Sequence, residues 1–291
     1  MDLEMGVCRW AVNIAPWLTS SKHFNQLMSL LPSSEQSAVL SYFKMEDRKR
    51  ALVSRLLQRI LVHTFLNIPY HDILIARTPE GKPYLANLLR AQEFANFNFN
   101  VSHHGSYVVI ASDPEYLVGV DVMACDSAQT EYPLEYIDNF RSYFTKLELQ
   151  TICSSGLDDV EKYHQFYRYW CMKESFIKAI GVGLGFCLQR LEFYYPNGDL
   201  WGDIAHVRID GKERRDWTFY LHKLPEEHWV CLAKGPALDT VEAYKKPFSE
   251  TIVRDGLYTS GSQLDNKPFT VLTLSEVISK LRLYSMWLLE K

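Results

Sequence analysis

Apolar and polar positions along the chain follow two periods. Val7 to Ile14 is an apolar, β-rich run that predicts a first strand. Phe24, Leu27, Met28 and Leu31 then recur at helical spacing before Pro32, and Ser33 with Gln36 has the form of a capping box. That box is expected to open a helical region reaching Asn67, with Leu52, Leu56 and Ile60 on its apolar side. Leu74–Arg77 and Pro83–Leu85 flank the turn Thr78-Pro79-Glu80-Gly81-Lys82 and predict a hairpin. Three strands are expected next, at Phe97–Ser102, Tyr107–Ser112 and Val118–Met123. In the first of them Phe97, Phe99 and Val101 alternate with Asn98, Asn100 and Ser102, the pattern of a half-buried strand.

Past residue 125 the helix-then-sheet order returns. Thr145 and Glu148 form a second capping box, and Phe166 to Ile180 is apolar almost all round with no Pro or Gly. Such a segment predicts a helix packed on most of its faces, stopped by Gly181 and Gly183. Strands are expected around Arg190–Tyr194, Val207–Asp210, Trp217–Leu221 and Trp229–Ala233. From about Pro236 these signals thin out. Thr251–Lys267 has the composition of a flexible linker, Phe269–Leu272 that of a short strand, and Val277, Leu281, Tyr284 and Leu288 make a final helical stripe. Whether this tail docks on the body or binds a partner is open at the level of sequence. The expected fold is therefore α+β, in two halves, each a small sheet with helices. Residues 1–125 form the first half, 126–235 the second, and 236–291 a linker and tail. The duplication is architectural, since no sequence repeat links the halves.

Composition changes this picture only at the margins. Of 291 residues 47% are hydrophobic, enough for two ordinary cores, and a formal net charge of −4 argues against a nucleic-acid surface. Six cysteines lack any CxxC or CxH spacing, so reduced thiols are expected rather than disulfides or zinc. Met1-Asp2-Leu3-Glu4 has acids where a leader would be basic, and no apolar run approaches the ~18 residues of a membrane span. A soluble, cytosolic protein without membrane contact is expected.

The candidate chemistry centres on the helix ending at Ile180. Glu174 and Lys178 lie one turn apart on one face. At a solvated surface such a pair is an ordinary contact of ~0.2–0.5 kcal/mol. In apolar surroundings a carboxylate instead demands a pairing cation or a metal. Asp121 leaves a tight apolar strand beside Gly119, and two carboxylates from different elements suit Mg²⁺ with water and phosphate oxygens. Asn100-Val101-Ser102-His103 puts polar groups at a strand end. The Arg77–Lys82 turn carries a cation at each end, with Gly81 allowing close backbone approach. Arg48, Lys49, Arg50, Arg55 and Arg59 give the earlier helix a basic face, mostly solvated, from which Arg48, Arg50 or Arg55 is a further candidate for a phosphate. Together these features describe a site for a polyphosphate-bearing small molecule held through one metal.

Phe99-Asn100-Val101-Ser102-His103, Gly119-Val120-Asp121 and Trp170-x-x-Lys173-Glu174-Ser175-Phe176-x-Lys178, in that order, resemble the three signatures of the Sfp-type 4′-phosphopantetheinyl transferases. The wording is closest to the family's animal members, and the likeness covers about residues 7 to 235. The resemblance implies a pseudo-dimer of two α+β halves, mainly antiparallel, with coenzyme A in the cleft between them. It implies transfer of 4′-phosphopantetheine from coenzyme A to a serine of an apo carrier protein, with release of adenosine 3′,5′-bisphosphate. By that resemblance Asp121 and Glu174 hold Mg²⁺; on physical grounds Glu174, directly or through a metal-bound water, is placed to take the serine proton. Arg77, Thr78, Pro79, Glu80, Gly81 and Lys82 grip the nucleotide end; Asn100, Val101, Ser102 and His103 line its cleft; Lys173 and Lys178 contact phosphates. The implied carriers are those of fatty-acid synthase and of aminoadipate-semialdehyde dehydrogenase. Both cleft walls then come from one chain, which favours a monomer. Met123 stands where many bacterial relatives carry a further acid, so a two-carboxylate metal site is expected. A non-catalytic module binding coenzyme A or a carrier is the alternative on the same fold, and a coenzyme A-dependent acyltransferase a more distant one.

Overall fold

The computed structural model describes residues 6–17, 20–87, 96–125, 133–241 and 266–289. The first half runs β1 (Cys8–Asn13), α1 (Ser21–Met28), α2 (Ser33–Leu40), α3 (Met45–Leu66), β2 (Ile75–Arg77), β3 (Pro83–Leu85), β4 (Asn98–His104) and β5 (Tyr107–Asp113). The second runs β6 (Leu117–Ala124), α4 (Pro133–Asp138), α5 (Lys146–Ile152), α6 (Asp159–Ile180), β7 (Leu191–Tyr194), β8 (Ile204–Ile209), β9 (Lys212–Leu224) and β10 (His228–Gly235). β11 (Thr270–Leu272) and α7 (Leu274–Leu289) end the chain. The strands form a sheet β11-β1-β5-β4, a sheet β6-β10-β9-β8-β7 and the small hairpin β2-β3. Every pairing is antiparallel except β1 with β11. Each sheet carries one 22-residue helix, α3 against β4 and β5, α6 against β6 and β10. The α+β class and the repeated helix-on-sheet unit are those the periodicity predicts.

The sheets divide earlier than residue 125. β6, expected in the first half, hydrogen-bonds along β10 from Leu117↔Gly235 to Ala124↔His228 and so belongs to the second sheet. β4 and β6 nevertheless lie side by side, joined through side chains. Asn98 Oδ1 accepts from Val118 N and Asn100 Oδ1 from Val120 N, both at 2.9 Å. His104 Nδ1 accepts from Ala124 N at 3.0 Å. The amide and imidazole acceptors satisfy edge N–H groups that would otherwise be buried without partners. This corrects the half-buried reading of β4: its polar face is buried too, with Asn98 and Asn100 each 3% exposed.

Local signals are met unevenly. The Thr145/Glu148 capping box forms at α5. The Ser33/Gln36 box does not, because α2 starts after Pro32 without a side-chain cap and Gln36 Nε2 reaches back to Leu31 O at 2.7 Å. The expected long helical region breaks between α2 and α3. α6 begins at an Asp158/Glu161 capping box rather than at Phe166, and Gly181 closes it at φ 81° in the left-handed region. The tail docks on the body: β11 extends the first sheet, and Val277 and Leu281 of α7 are buried in that half's core. Most of the expected linker, residues 251–265, lies outside the described residues, as does Met1–Glu4.

Candidate active site between the two halves

α6 can approach β6 closely because Gly119 has no side chain. A Cβ there would meet Ser175 O at 2.0 Å and Ala179 N at 2.5 Å. Asp121, two residues on, faces the same side of the strand and is buried at 3% exposure. Its Oδ1 accepts from Ser102 Oγ at 2.9 Å and from Lys178 Nζ, and Lys178 Nζ also donates to Ser102 Oγ at 2.8 Å. A strand end of the first half thereby meets a strand and a helix of the second at one carboxylate.

The Glu174–Lys178 pair expected from spacing alone is absent, since Lys178 is turned to Asp121. Among the described residues Glu174 has no ion-pair partner. Burial, then the neighbouring Asp121 charge, raises its carboxyl above the ordinary range, with Lys178 acting the other way. Asp121 Oδ2 is buried with no hydrogen-bond partner. An orphaned carboxylate oxygen beside an uncompensated carboxylate fits a hard divalent cation completed by water and phosphate oxygens. No cluster of three or more His, Cys, Asp or Glu able to hold a metal occurs among the described residues. Among the described residues, Asp121 and Glu174 are the carboxylates whose environment fits such an ion.

The cavity beside them has a volume of about 500 Å³. The first half contributes Tyr42, Ser54, Arg55, Arg77, Glu80 to Pro83 and Asn100 to His103; the second contributes Glu174, Ile177, Lys178, Gly181 and Gly183. Thus Arg77, Glu80, Gly81, Lys82, Asn100, Val101, Ser102, His103, Glu174 and Lys178 come together as the sequence predicts. Burial, with Lys178 and Arg50 nearby, lowers the His103 imidazole to about 4, so it is neutral near pH 7.

Other expected residues sit elsewhere. Thr78 and Pro79 are not on the cavity wall; Thr78 shapes the turn, its Oγ1 accepting from Lys82 N at 3.2 Å. Lys82 borders the cavity, but its Nζ donates to Ala179 O at the end of α6, and burial pulls its pKa well down. It fastens the turn to the opposite half rather than offering a free cation. Lys173 does not reach the cleft at all. Its ammonium is 0% exposed in the second half's core, paired with Glu148 at 2.8 Å.

Of the basic face of α3, Arg55 lines the cavity. Arg48 donates to Tyr42 O and Leu40 O, Arg50 to Gly105 O and Asp47. Lys49 and Arg59 are buried against Glu46 and Glu35. Among the described residues, Arg55 and Arg77 hold only backbone carbonyls, Ala51 O and Gly81 O, each at 2.9 Å. Burial and then Arg77 lower the Arg55 pKa, as expected of two guanidiniums sharing one cavity. Tyr42, Ser54, Pro83, Ile177, Gly181 and Gly183 also line it and were not foreseen as site residues. Ile177, three residues from Glu174, and Ser54, four residues from Arg50, each share a helix face with a candidate residue.

Both halves of the chain match a known family. Residues 15–115 match the family described as 4′-phosphopantetheinyl transferase, N-terminal, and residues 117–233 match the 4′-phosphopantetheinyl transferase superfamily. The junction falls between β5 and β6, where the sheets divide. The L-aminoadipate-semialdehyde dehydrogenase-phosphopantetheinyl transferase of Mus musculus is 36% identical over 277 residues, 93% of this chain and 85% of that protein. Its Homo sapiens counterpart is 36% identical over 283 residues, with the same coverage. A phosphopantetheinyl transferase of Thraustochytrium is 34% identical over 228 residues, 77% of each chain. With both halves matched in order and the cleft between them intact, the chain belongs to the 4′-phosphopantetheinyl transferase superfamily and is a transferase of phosphopantetheine to carrier proteins.

Proposed function

We propose that the cleft binds coenzyme A and that its walls transfer 4′-phosphopantetheine to a carrier serine, releasing adenosine 3′,5′-bisphosphate. The observation that carries this reading is the Asp121–Ser102–Lys178 junction with Glu174 beside it, where both halves converge on one buried carboxylate. Arg55 and Arg77, without carboxylate partners among the described residues, receive the phosphates of the nucleotide end. The Lys82 tether keeps the turn and α6 at a fixed separation around that end.

Asp121 and Glu174 would hold Mg²⁺, which when bound neutralises charge on the pyrophosphate oxygens. Glu174 takes the proton of the attacking serine hydroxyl, directly or through water. Burial and the Asp121 charge raise its pKa, which makes it a stronger base than an ordinary surface carboxylate. Lys178, 31% exposed at its side chain, directs its charge to the leaving phosphate. Binding both substrates across the cleft supplies the alignment that phosphoryl transfer requires.

The acceptors in this reading are apo carrier domains of fatty-acid synthase and of aminoadipate-semialdehyde dehydrogenase, and the enzyme works as a cytosolic monomer. One chain supplying both cleft walls supports the monomer, and six free cysteines, four of them buried, suit a reducing compartment. No helix among the described residues is long and apolar enough to cross a membrane.

The test is transfer from coenzyme A to an apo carrier, followed by carrier mass, with and without Mg²⁺. Glu174→Ala and Asp121→Ala are expected to lose on the order of 10²–10⁴-fold in rate. Undiminished transfer in either variant, or in chelator, would refute the roles assigned here. Coenzyme A binding without any turnover would leave a non-catalytic module instead.

A further inference from the structure

Lys173 and Glu148 are the most completely buried ion pair among the described residues, each side chain 0% exposed, and the proposed chemistry leaves them unused. Besides Glu148, Lys173 Nζ donates to Leu188 O at 3.0 Å and to Leu191 O at 2.8 Å, which engages all three ammonium protons. Glu148 in turn accepts from Thr145 N at 2.8 Å and from Phe193 N at 2.9 Å. The rings of Phe144 and Phe193 close over the ammonium at 5.5 and 5.6 Å. No substrate atom can reach this group.

Stability alone does not account for the pair, because well-packed apolar side chains of similar volume generally do as well. Direction does. Apolar contacts let a helix turn slightly about its axis, whereas three hydrogen bonds to two separate segments hold it at one angle. Glu174 follows Lys173 by about 100° around the helix. With Lys173 fixed in the second half's core, Glu174 is turned to the cleft. Gly119 sets how closely α6 lies on β6, and the Lys173 network sets how α6 is rotated there. The same ammonium holds Leu188 and Leu191, which follow the Gly181–Gly183 stretch of the cleft wall.

We infer that Lys173 is a positioning residue: with Glu148 it fixes the rotation of α6 that aims Glu174 and Lys178 into the cleft, and so governs turnover rather than coenzyme A binding. The inference rests on reading Glu174 as the base. It is tested on the full chain with Lys173→Met/Glu148→Gln, which removes both charges and keeps one of the two acceptor oxygens that serve Thr145 and Phe193. kcat and KM for coenzyme A are measured with an apo carrier, beside the melting temperature, with Glu174→Ala in parallel. The expected result is a cooperatively melting double variant with KM within about twofold and kcat lower by roughly 10- to 100-fold. A folded double variant with wild-type kcat overturns the inference, as does activity lost only in proportion to folded protein. Should the double variant not fold, Glu148→Gln alone is judged by the same two constants. Activity retained in Glu174→Ala removes the base reading and the inference together. Loss there beside wild-type kcat in the double variant removes the inference alone.

Discussion

Lys178 shows how burial chooses between two available carboxylates. Glu174 lies one turn away on the same helix, yet the ammonium bonds Asp121 on another strand. Asp121 is almost fully buried and needs a counter-charge more than Glu174 does. Ser102 completes the arrangement, donating to Asp121 and accepting from Lys178, so it fixes the distance between them. Ser102→Ala is therefore expected to fold normally and to lower the transfer rate by about tenfold, the worth of one hydrogen bond to a charged group. The apo-carrier assay measures it, and a rate equal to wild type would mean that Lys178 alone places Asp121. Asp121, Glu174 and the Asn100–His103 strand end were all legible in the sequence, as acids and polar groups out of place in apolar runs. The location of Lys173 was not. On a helix that is apolar all round, no periodic stripe says which face a lysine takes. Its partner Glu148 already had a local explanation as a capping residue.

Elements here are positioned by what lies on their faces, and sequence period reports faces without saying what covers them. The alternation in β4 correctly gives a strand, and it correctly separates Phe99 and Val101 from Asn98 and Asn100. It does not say that the polar face meets β6, because that depends on two sheets coming together. Gly119 is a similar case: it reads as an ordinary strand glycine until α6 is laid on it. Gly119→Ala puts a methyl group within 2.0 Å of Ser175 O, a backbone atom that cannot step aside. The helix must lift from β6, which is expected to lower stability by about 3 kcal/mol or more. It should also depress turnover by widening the gap between Lys178 and Asp121. Denaturant unfolding and the transfer assay read the two effects, and a variant as stable as wild type would show that α6 is not in firm contact there.

At the scale of the whole molecule the chain closes on itself. After completing the second sheet it returns to lay β11 beside β1, and Phe269 just before that strand enters the core shared by the two sheets with Val109, Val120 and Val230. The short strand and final helix were legible in the sequence, but not their docking, because a three-residue strand gains its partners from distant parts of the fold. The ring of Phe269 lies 5.4 Å from that of His222 on β9. Burial, then Arg9 from the first half, lowers the His222 imidazole to about 4, with Asp203 opposing, and its Nε2 is buried without a hydrogen-bond partner. In the unfolded chain a histidine titrates near 6.5. Between about pH 6.5 and 4 the unfolded state thus binds more protons at this position, so stability falls as pH falls across that window and levels off below it. His103, also lowered to about 4, adds to the same trend. His222→Gln cannot take up that proton. Its melting temperature should drop less than that of the wild type on going from pH 7 to pH 5. Equal drops in the two proteins would mean that His222 is accessible to water and that the returning tail does not seal the core where the halves meet.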